Sequence, residues 1–388
     1  MMWIARNKLS KLEKAVQTRP SVLLTGVRQV GKSTLLCKMF PKAEYITFDK
    51  VLLAEEATSN AEKFLARLTN QTILDEVQYV PMLFRELKVK IDENRDAKGQ
   101  WLLTGSQQFQ MMKEVSESLA GRIRIINLYP LGADELHNAG LLEQKRDLLW
   151  KGGFPEVWAK KLPVDEFFED YINTYLERDL KRILDISNLA DYRRLLMLLA
   201  LRAGQLLNYS ELSKGLGIAV NTVKSWIQVL EIAGLIFLLP PYHSNLGKRL
   251  IKSPKVYFCD NGLLCALLNI RSLKDVDGSP FLGSIWENLV FTEFLKEDYL
   301  PGKNMYYFRD QNGVEIDFIL ESGGQTFLVE AKSNERPDER KLNFRKVAPL
   351  FPFPVQNILA CGIEEKGTFH LKNHKVYNPL FGQTFDKE

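Results

Sequence analysis

Short apolar runs punctuate the first third of the chain. Ser21–Thr25, Glu44–Asp49, Gln71–Glu76, Trp101–Thr104 and Ile123–Tyr129 have the length and bounding turn residues of strands. Helical stretches separate them: Leu35–Phe40 after the first, and a segment through Phe64 and Leu68 after the second. Strands alternating with helices predict a parallel sheet with helices on both faces. From Gly140 to Leu207 the period turns helical. Leu176, Leu180, Ile183 and Leu184 recur at i, i+4, i+7 and i+8, and Leu195–Leu201 is a nearly all-apolar run suited to a buried helix. Gly152-Gly153 and Pro155 read as the hinge of this lid or connector.

Two short helices follow, Tyr209–Ile218 and Val220–Ala233, around Gly215 and Gly217. In the second, Val223, Trp226, Ile227 and Leu230 form an apolar stripe, which leaves Asn221, Lys224, Ser225 and Gln228 on the opposite face. Gly234 is the expected stop. A strand at Leu235–Leu239, a basic loop at His243–Lys252 and a return strand at Val256–Cys259 complete the pattern of a winged helix-turn-helix. Beyond it, Ser284–Lys296 reads as a helix. Gly313–Leu320 and Gln325–Lys332 read as strands joined through Ser322-Gly323-Gly324-Gln325, a Gly-Gly hairpin signal.

A length of 388 residues exceeds one ordinary core, and the pattern shifts place boundaries at 1–140, 141–203, 204–260 and 261–388. Hydrophobic and charged fractions of 45% and 26% are those of a soluble globular protein. The net charge of +4 is small, but it is concentrated. Between Gly204 and Val256 stand Lys214, Lys224, Lys248, Arg249, Lys252 and Lys255 against only Glu211 and Glu231, so any electrostatic footprint lies there. Four scattered cysteines without a C-x-x-C pair give neither a zinc site nor a disulfide framework. The basic start lacks an apolar signal core, and no run approaches the ~18 apolar residues of a membrane helix. A cytoplasmic protein with no membrane partner is the expectation.

Chemistry enters at Gly26–Thr34, GVRQVGKST, which lies between the first strand and its helix. That is the context required by the phosphate-binding G-x-x-x-x-G-K-[S/T] loop. Gly26 and Gly31 let the backbone curl so that N–H groups from Val27, Arg28, Gln29, Val30 and their neighbours face phosphate oxygens. The following helix adds its positive end. Lys32 reaches the β- and γ-phosphates, and Ser33, with Thr34 beside it, offers a hydroxyl to Mg²⁺. A nucleoside triphosphate, taken as ATP with Mg²⁺, is the expected ligand. The third strand ends in Asp75-Glu76, 43 residues after the loop lysine. Asp75 suits the Mg²⁺ shell and Glu76 the attacking water, although acids also favour helix starts. The fourth strand, expected beside the first, ends in Gly105-Ser106-Gln107-Gln108. Ser106 is either a γ-phosphate sensor or a turn serine.

GVRQVGKSTL, ILDEVQ, LLTGSQQ and SLAGRIRIINLYPL, with GGFPEVW and YLERDL further on, resemble a prokaryotic AAA+-related P-loop ATPase family, the AAA_14/DUF4143-type ATP-binding proteins. The resemblance covers nearly the whole chain. It implies an ATPase domain followed by a region of unassigned function that is similar to restriction-endonuclease-fold nucleases. It also implies a homo-oligomer with an arginine acting on a neighbour's nucleotide. Arg122 fits that place, Arg124 competes for it, and a surface salt-bridging arginine is the plainer alternative. YLERDL reads as a salt-bridged helix face.

The Asn/Gln/Ser/Lys face of the second short helix suits base edges. The Lys248, Arg249, Lys252 and Lys255 wing suits phosphates, so DNA is an expected partner. In the last domain Glu287 falls on an apolar helix arc between Phe291 and Phe294. The hairpin register sets Asp317 across from Glu330, and Glu330 shares a face with Lys332. Facing acids repel unless a cation separates them. The E–x29–D–x12–E-x-K spacing has the form of a PD-(D/E)xK nuclease core. Asp317, Glu330 and Glu287 would hold a second divalent ion beside Lys332, or the hairpin is a silent relic with ordinary ion pairs.

The expected architecture is therefore α/β: a parallel-sheet P-loop NTPase domain, a helical connector, a winged helix and a small restriction-endonuclease-like domain. The expected function is Mg²⁺-dependent ATP hydrolysis by an oligomer acting on DNA. An ATP-gated nuclease and an ATP-binding switch with little turnover are the alternatives. Glu76 argues against the switch, which has no need of a water-orienting acid.

Overall fold

The computed structural model describes residues 2–105, 115, 118–175, 189–242, 252–364, 369–371 and 373–382. Ser106, Lys248, Arg249 and most of YLERDL lie outside them. The chain forms two compact units. One is residues 5–129 with 232–234; the other is residues 1–4, 130–231 and 235–388.

The first unit is built on a five-stranded parallel sheet: β1 (Ser21–Thr25), β2 (Glu44–Thr47), β3 (Thr72–Asp75), β4 (Trp101–Gly105) and β5 (Ile123–Asn127). Their order is β2-β3-β4-β1-β5, which puts β4 beside β1 as expected. The register pairs Thr25 with Gly105 and Asn127, and Asp75 with Thr47. The polar ends of β1, β3 and β4 are thereby brought to one edge. β1, β3 and β4 are buried along their whole length, because helices cover both faces. Leu23, Leu74 and Leu103 pack with Trp101, Phe64, Phe84 and Leu87 in one cluster. Burial at about 1.5–3 kcal/mol for each large apolar side chain makes this the anchor of the loops above it.

In the second unit, helices Tyr209–Leu216 and Val220–Ile232 meet at Gly217, a left-handed turn. Asn208 caps the first by accepting from the N–H groups of Ser210 and Glu211. The expected stripe Val223, Trp226, Ile227 and Leu230 is buried, and Asn221, Lys224, Ser225 and Gln228 are exposed. β6 (Ile236–Leu239) and β7 (Lys255–Phe258) pair antiparallel, Leu239 opposite Lys255. Lys252 is exposed, but Lys255 is fully buried inside β7 and takes no part in a solvent-facing wing. Tyr307 holds both ends of the basic stretch. Its backbone exchanges hydrogen bonds with Pro240 and Tyr242 at 3.2 and 2.7 Å, and its hydroxyl donates to the Ser253 carbonyl.

The residues read as a hinge are instead closely packed. Gly152 has φ +63, and a Cβ there would lie 2.0 Å from Asp260 Oδ1. The Gly153 N–H donates to Asp260 Oδ2 at 2.6 Å, and the Trp158 indole donates to the Gly152 carbonyl at 2.8 Å. A six-stranded mixed sheet follows, ordered β12-β13-β11-β10-β9-β8. It comprises β8 (Met305–Arg309), β9 (Glu315–Ser322), β10 (Gln325–Lys332), β11 (Gln356–Cys361), β12 (Phe369–Leu371) and β13 (His374–Tyr377). Gly323 and Gly324 both have positive φ, which a tight two-residue hairpin turn requires, and Ser322 pairs with Gln325 as read from the sequence. Helix Leu282–Lys296 is buried from Asn288 to Leu295 without a break, its polar Asn288, Thr292 and Glu293 included. Among the described residues, no helix is long and apolar enough to cross a membrane.

Candidate active site

The loop between β1 and helix Lys32–Met39 is shaped by its backbone. Gly26 has φ +151, and a Cβ there would stand 2.1 Å from the Leu128 carbonyl oxygen, so only glycine fits. Gly31 and Gln29 are left-handed, at φ 89 and 61, which curls the loop between them. Val27 and Val30 are buried and pin it, and the Arg6 guanidinium donates to the Val30 and Tyr129 carbonyls at 2.8 and 2.5 Å. Lys32, itself buried, folds back so that Nζ donates to the carbonyls of Gly26 at 3.1 Å and Val27 at 3.0 Å. Arg28 donates to the Tyr79 hydroxyl at 3.2 Å.

The helix start and the end of β3 meet beside this loop. Ser33 Oγ donates to Asp75 Oδ1 at 2.5 Å, joining the serine to the strand acid across 42 positions of sequence. Thr104 Oγ1 donates to the same oxygen and accepts from the Glu76 N–H at 3.2 Å. The Tyr45 hydroxyl, from edge strand β2, donates to Asp75 Oδ2 at 2.7 Å. Burial and the Asp75 carboxylate together raise the Tyr45 phenol well above its ordinary value. Glu76 is left-handed at φ 59, a conformation uncommon outside glycine and found where structure is held for function. Its carboxylate accepts from the Gln78 amide.

Pattern alone does not single out Thr104 or Tyr45. A threonine in an otherwise apolar buried strand is the one signal that could have found the first. Ser106, the candidate sensor, lies outside the described residues. Arg122 sits at the foot of β5, where Nε and Nη2 each donate to Asp92 at 2.8 Å. Arg122 and Arg95 hold the Asp92 carboxyl down to about 2. Arg124 is exposed on the strand itself.

The C-terminal acids lie together around two lysines. Asp317 Oδ2 accepts from the Ala331 N–H at 2.8 Å and from Lys332 Nζ at 3.3 Å. Glu330 pairs with Lys332 at 3.0 Å and accepts from the Asn343 N–H. Glu287 accepts from Lys255 Nζ at 2.9 Å and the Tyr257 hydroxyl at 2.6 Å. Burial pushes the Glu287 carboxyl above its ordinary value, opposed by the Lys255 ammonium.

Three stretches of the chain match models of known protein families. Residues 18–137 match the model of an AAA domain. Residues 142–274 and 282–367 each match a domain of unknown function, DUF8612 and DUF4143. The uncharacterized protein Rv2008c of Mycobacterium tuberculosis is 33% identical over 340 residues, which are 86% of this chain and 74% of that protein. An uncharacterized protein of Haemophilus influenzae is 25% identical over 363 residues, 84% of this chain and 85% of that one. Among solved structures, the Walker-type ATPase PABY2304 of Pyrococcus abyssi is similar over 69% of this chain and 96% of that chain, at 17% identity and a TM-score of 0.45. The chain belongs to the family of the mycobacterial protein Rv2008c, and its first unit is an AAA-like P-loop ATPase domain.

Proposed function

We propose that the first unit hydrolyses ATP with Mg²⁺. The observation that carries this reading is the Ser33–Asp75 hydrogen bond at 2.5 Å, because it brings together the hydroxyl and the carboxylate that would hold the ion. When bound, the ion supplies positive charge against the oxygens of the transferring phosphoryl group. The protein does the rest by position. Lys32 Nζ exchanges its two loop carbonyls for phosphate oxygens, and the loop N–H groups line the cradle. Glu76 at the end of β3 orients the attacking water and takes up its proton. Thr104 ties the Asp75 carboxylate to the Glu76 backbone, and so fixes the ion's ligand relative to the base.

Phosphate release by the full chain tests the reading, with Thr104→Val as the diagnostic variant. Valine keeps the shape of the threonine but removes both of its bonds. Turnover is expected to fall by roughly 10–100-fold, the usual cost of losing a group that orients a metal ligand. Fluorescent-nucleotide binding measured without Mg²⁺ should be unchanged. Unaltered turnover in the variant, or none in the wild type, would overturn the assignment.

A second reading concerns the other unit. The exposed Asn221, Lys224, Ser225 and Gln228 face, with the exposed Lys252, supports a winged helix that contacts DNA. Reversing Lys224 and Lys252 to Glu should weaken duplex binding and flatten its salt dependence by roughly 0.9 for each phosphate no longer neutralised. Equal salt slopes for the variant and the wild type would rule this face out.

A further inference from the structure

Glu287, Asp317 and Glu330, expected from their spacing to hold a divalent ion, form a donor set that does not fit one. Asp317 and Glu330 already accept from backbone N–H groups as well as from Lys332. Lys332 alone would not decide the matter, since it is about one-third exposed, at 34%, and has water to withdraw into. Lys255 does decide it. Its side chain is 1% exposed, and it stands within 2.9 Å of Glu287 and 3.8 Å of Asp317, with Glu315 also in contact. Glu315 spends its other oxygen on Arg309 at 2.8 Å. A Cβ on Gly204 would come within 3.2 Å of the Glu287 carboxylate, so backbone closes over that acid directly. Mg²⁺ needs near-octahedral oxygen ligands and usually keeps several waters. Here those positions hold an ammonium and main chain. Among the described residues, no group of three or more His, Cys, Asp or Glu side chains is arranged to hold a metal ion.

We propose that Lys255 is the resident cation of this centre, so that the C-terminal domain takes no divalent metal and does not cut phosphodiesters by a metal-dependent route. Four carboxylates, Glu287, Glu315, Asp317 and Glu330, meet three basic side chains, Lys255, Lys332 and Arg309, inside one fold. A divalent ion entering beside Asp317 would meet two lysine ammoniums, of which Lys255 has no route to solvent. The cross-strand repulsion that would otherwise call for a metal is relieved from within the chain. The inference is independent of the ATPase reading.

Thermal melts of the full chain in EDTA and in Mn²⁺, without nucleotide, test it. Wild type and Asp317→Asn should show the same small Mn²⁺ response. Lys255→Ala should melt lower than wild type in EDTA and be restored by Mn²⁺, which finds both the space and the charge the lysine leaves. Lys255→Ala combined with Asp317→Asn should lose that restoration. A wild-type Mn²⁺ stabilisation that Asp317→Asn abolishes would overturn the proposal, and it can be read without any Lys255 variant. Should Lys255→Ala fail to fold in EDTA, refolding in Mn²⁺ replaces the melt. Recovery of folded protein supports the stand-in role, and failure in both conditions overturns it.

Discussion

Glu76→Gln protein is expected to bind ATP as tightly as wild type and to release phosphate at least ~10² times more slowly, the typical contribution of a positioned general base. The glutamine keeps the side chain's size and its contact with Gln78, so the left-handed turn at φ 59 has no reason to relax. What it cannot do is accept a proton. Lys32→Ala should fail one step earlier. Its ammonium is buried and faces two carbonyls of its own loop, so removing it takes away a point charge set at the phosphate cradle. Nucleotide titration separates the two variants, and phosphate release completes the comparison. If Glu76→Gln turns over at the wild-type rate, the base lies elsewhere. The same variant serves Arg122. Activity regained on mixing Glu76→Gln with Arg122→Ala chains would mean that the arginine reaches a neighbour's nucleotide, after leaving Asp92.

The second large effect is on stability. Asp260→Ala should cost about 2–6 kcal/mol, because two buried N–H donors, one of them the capped start of helix Asn261–Leu267, lose their acceptor at about 1–3 kcal/mol each. Asp260 Oδ1 accepts from Leu263 N–H at 3.1 Å and Oδ2 from Gly153 N–H at 2.6 Å. Burial pushes the Asp260 carboxyl above its ordinary value, so holding it charged has a cost of its own. The bonds win, since alanine returns neither donor to water. Urea melts of the full chain read the change. A loss below about 1 kcal/mol would mean the two donors find other partners.

What could be read without coordinates followed from locality. The phosphate loop needs particular backbone angles at Gly26 and Gly31, and few residues supply them, so the motif carries its own geometry. The Gly323-Gly324 turn fixed the pairing of β9 with β10 for the same reason. Distance along the chain hid the rest. Thr104 reaches Asp75 from 29 residues away, and its one local mark, a hydroxyl in an apolar strand, does not say which group it meets. Lys255 follows a run of basic residues and reads as one more solvent-facing charge. Its partner Glu287 lies 32 positions on, and only the fold brings the two together. The GGF segment reads as flexible because glycine permits freedom, whereas Asp260 leaves no room for a side chain at Gly152 and the Leu131 backbone leaves none at Gly153.

Tyr307 grips the chain both before and after the basic stretch, at Pro240 and Tyr242 on one side and Ser253 on the other. The described chain on either side of the stretch is thus held at one neck by a residue of β8. Loop closure becomes costlier only with the logarithm of length, so doubling the span adds roughly 0.6 kcal/mol. This neck therefore gives the molecule a place to lengthen, shorten or recharge a segment with little effect on the folds at either end. Variation in length among relatives would be expected to collect between residues 243 and 252, and an inserted tag or reporter is best carried there.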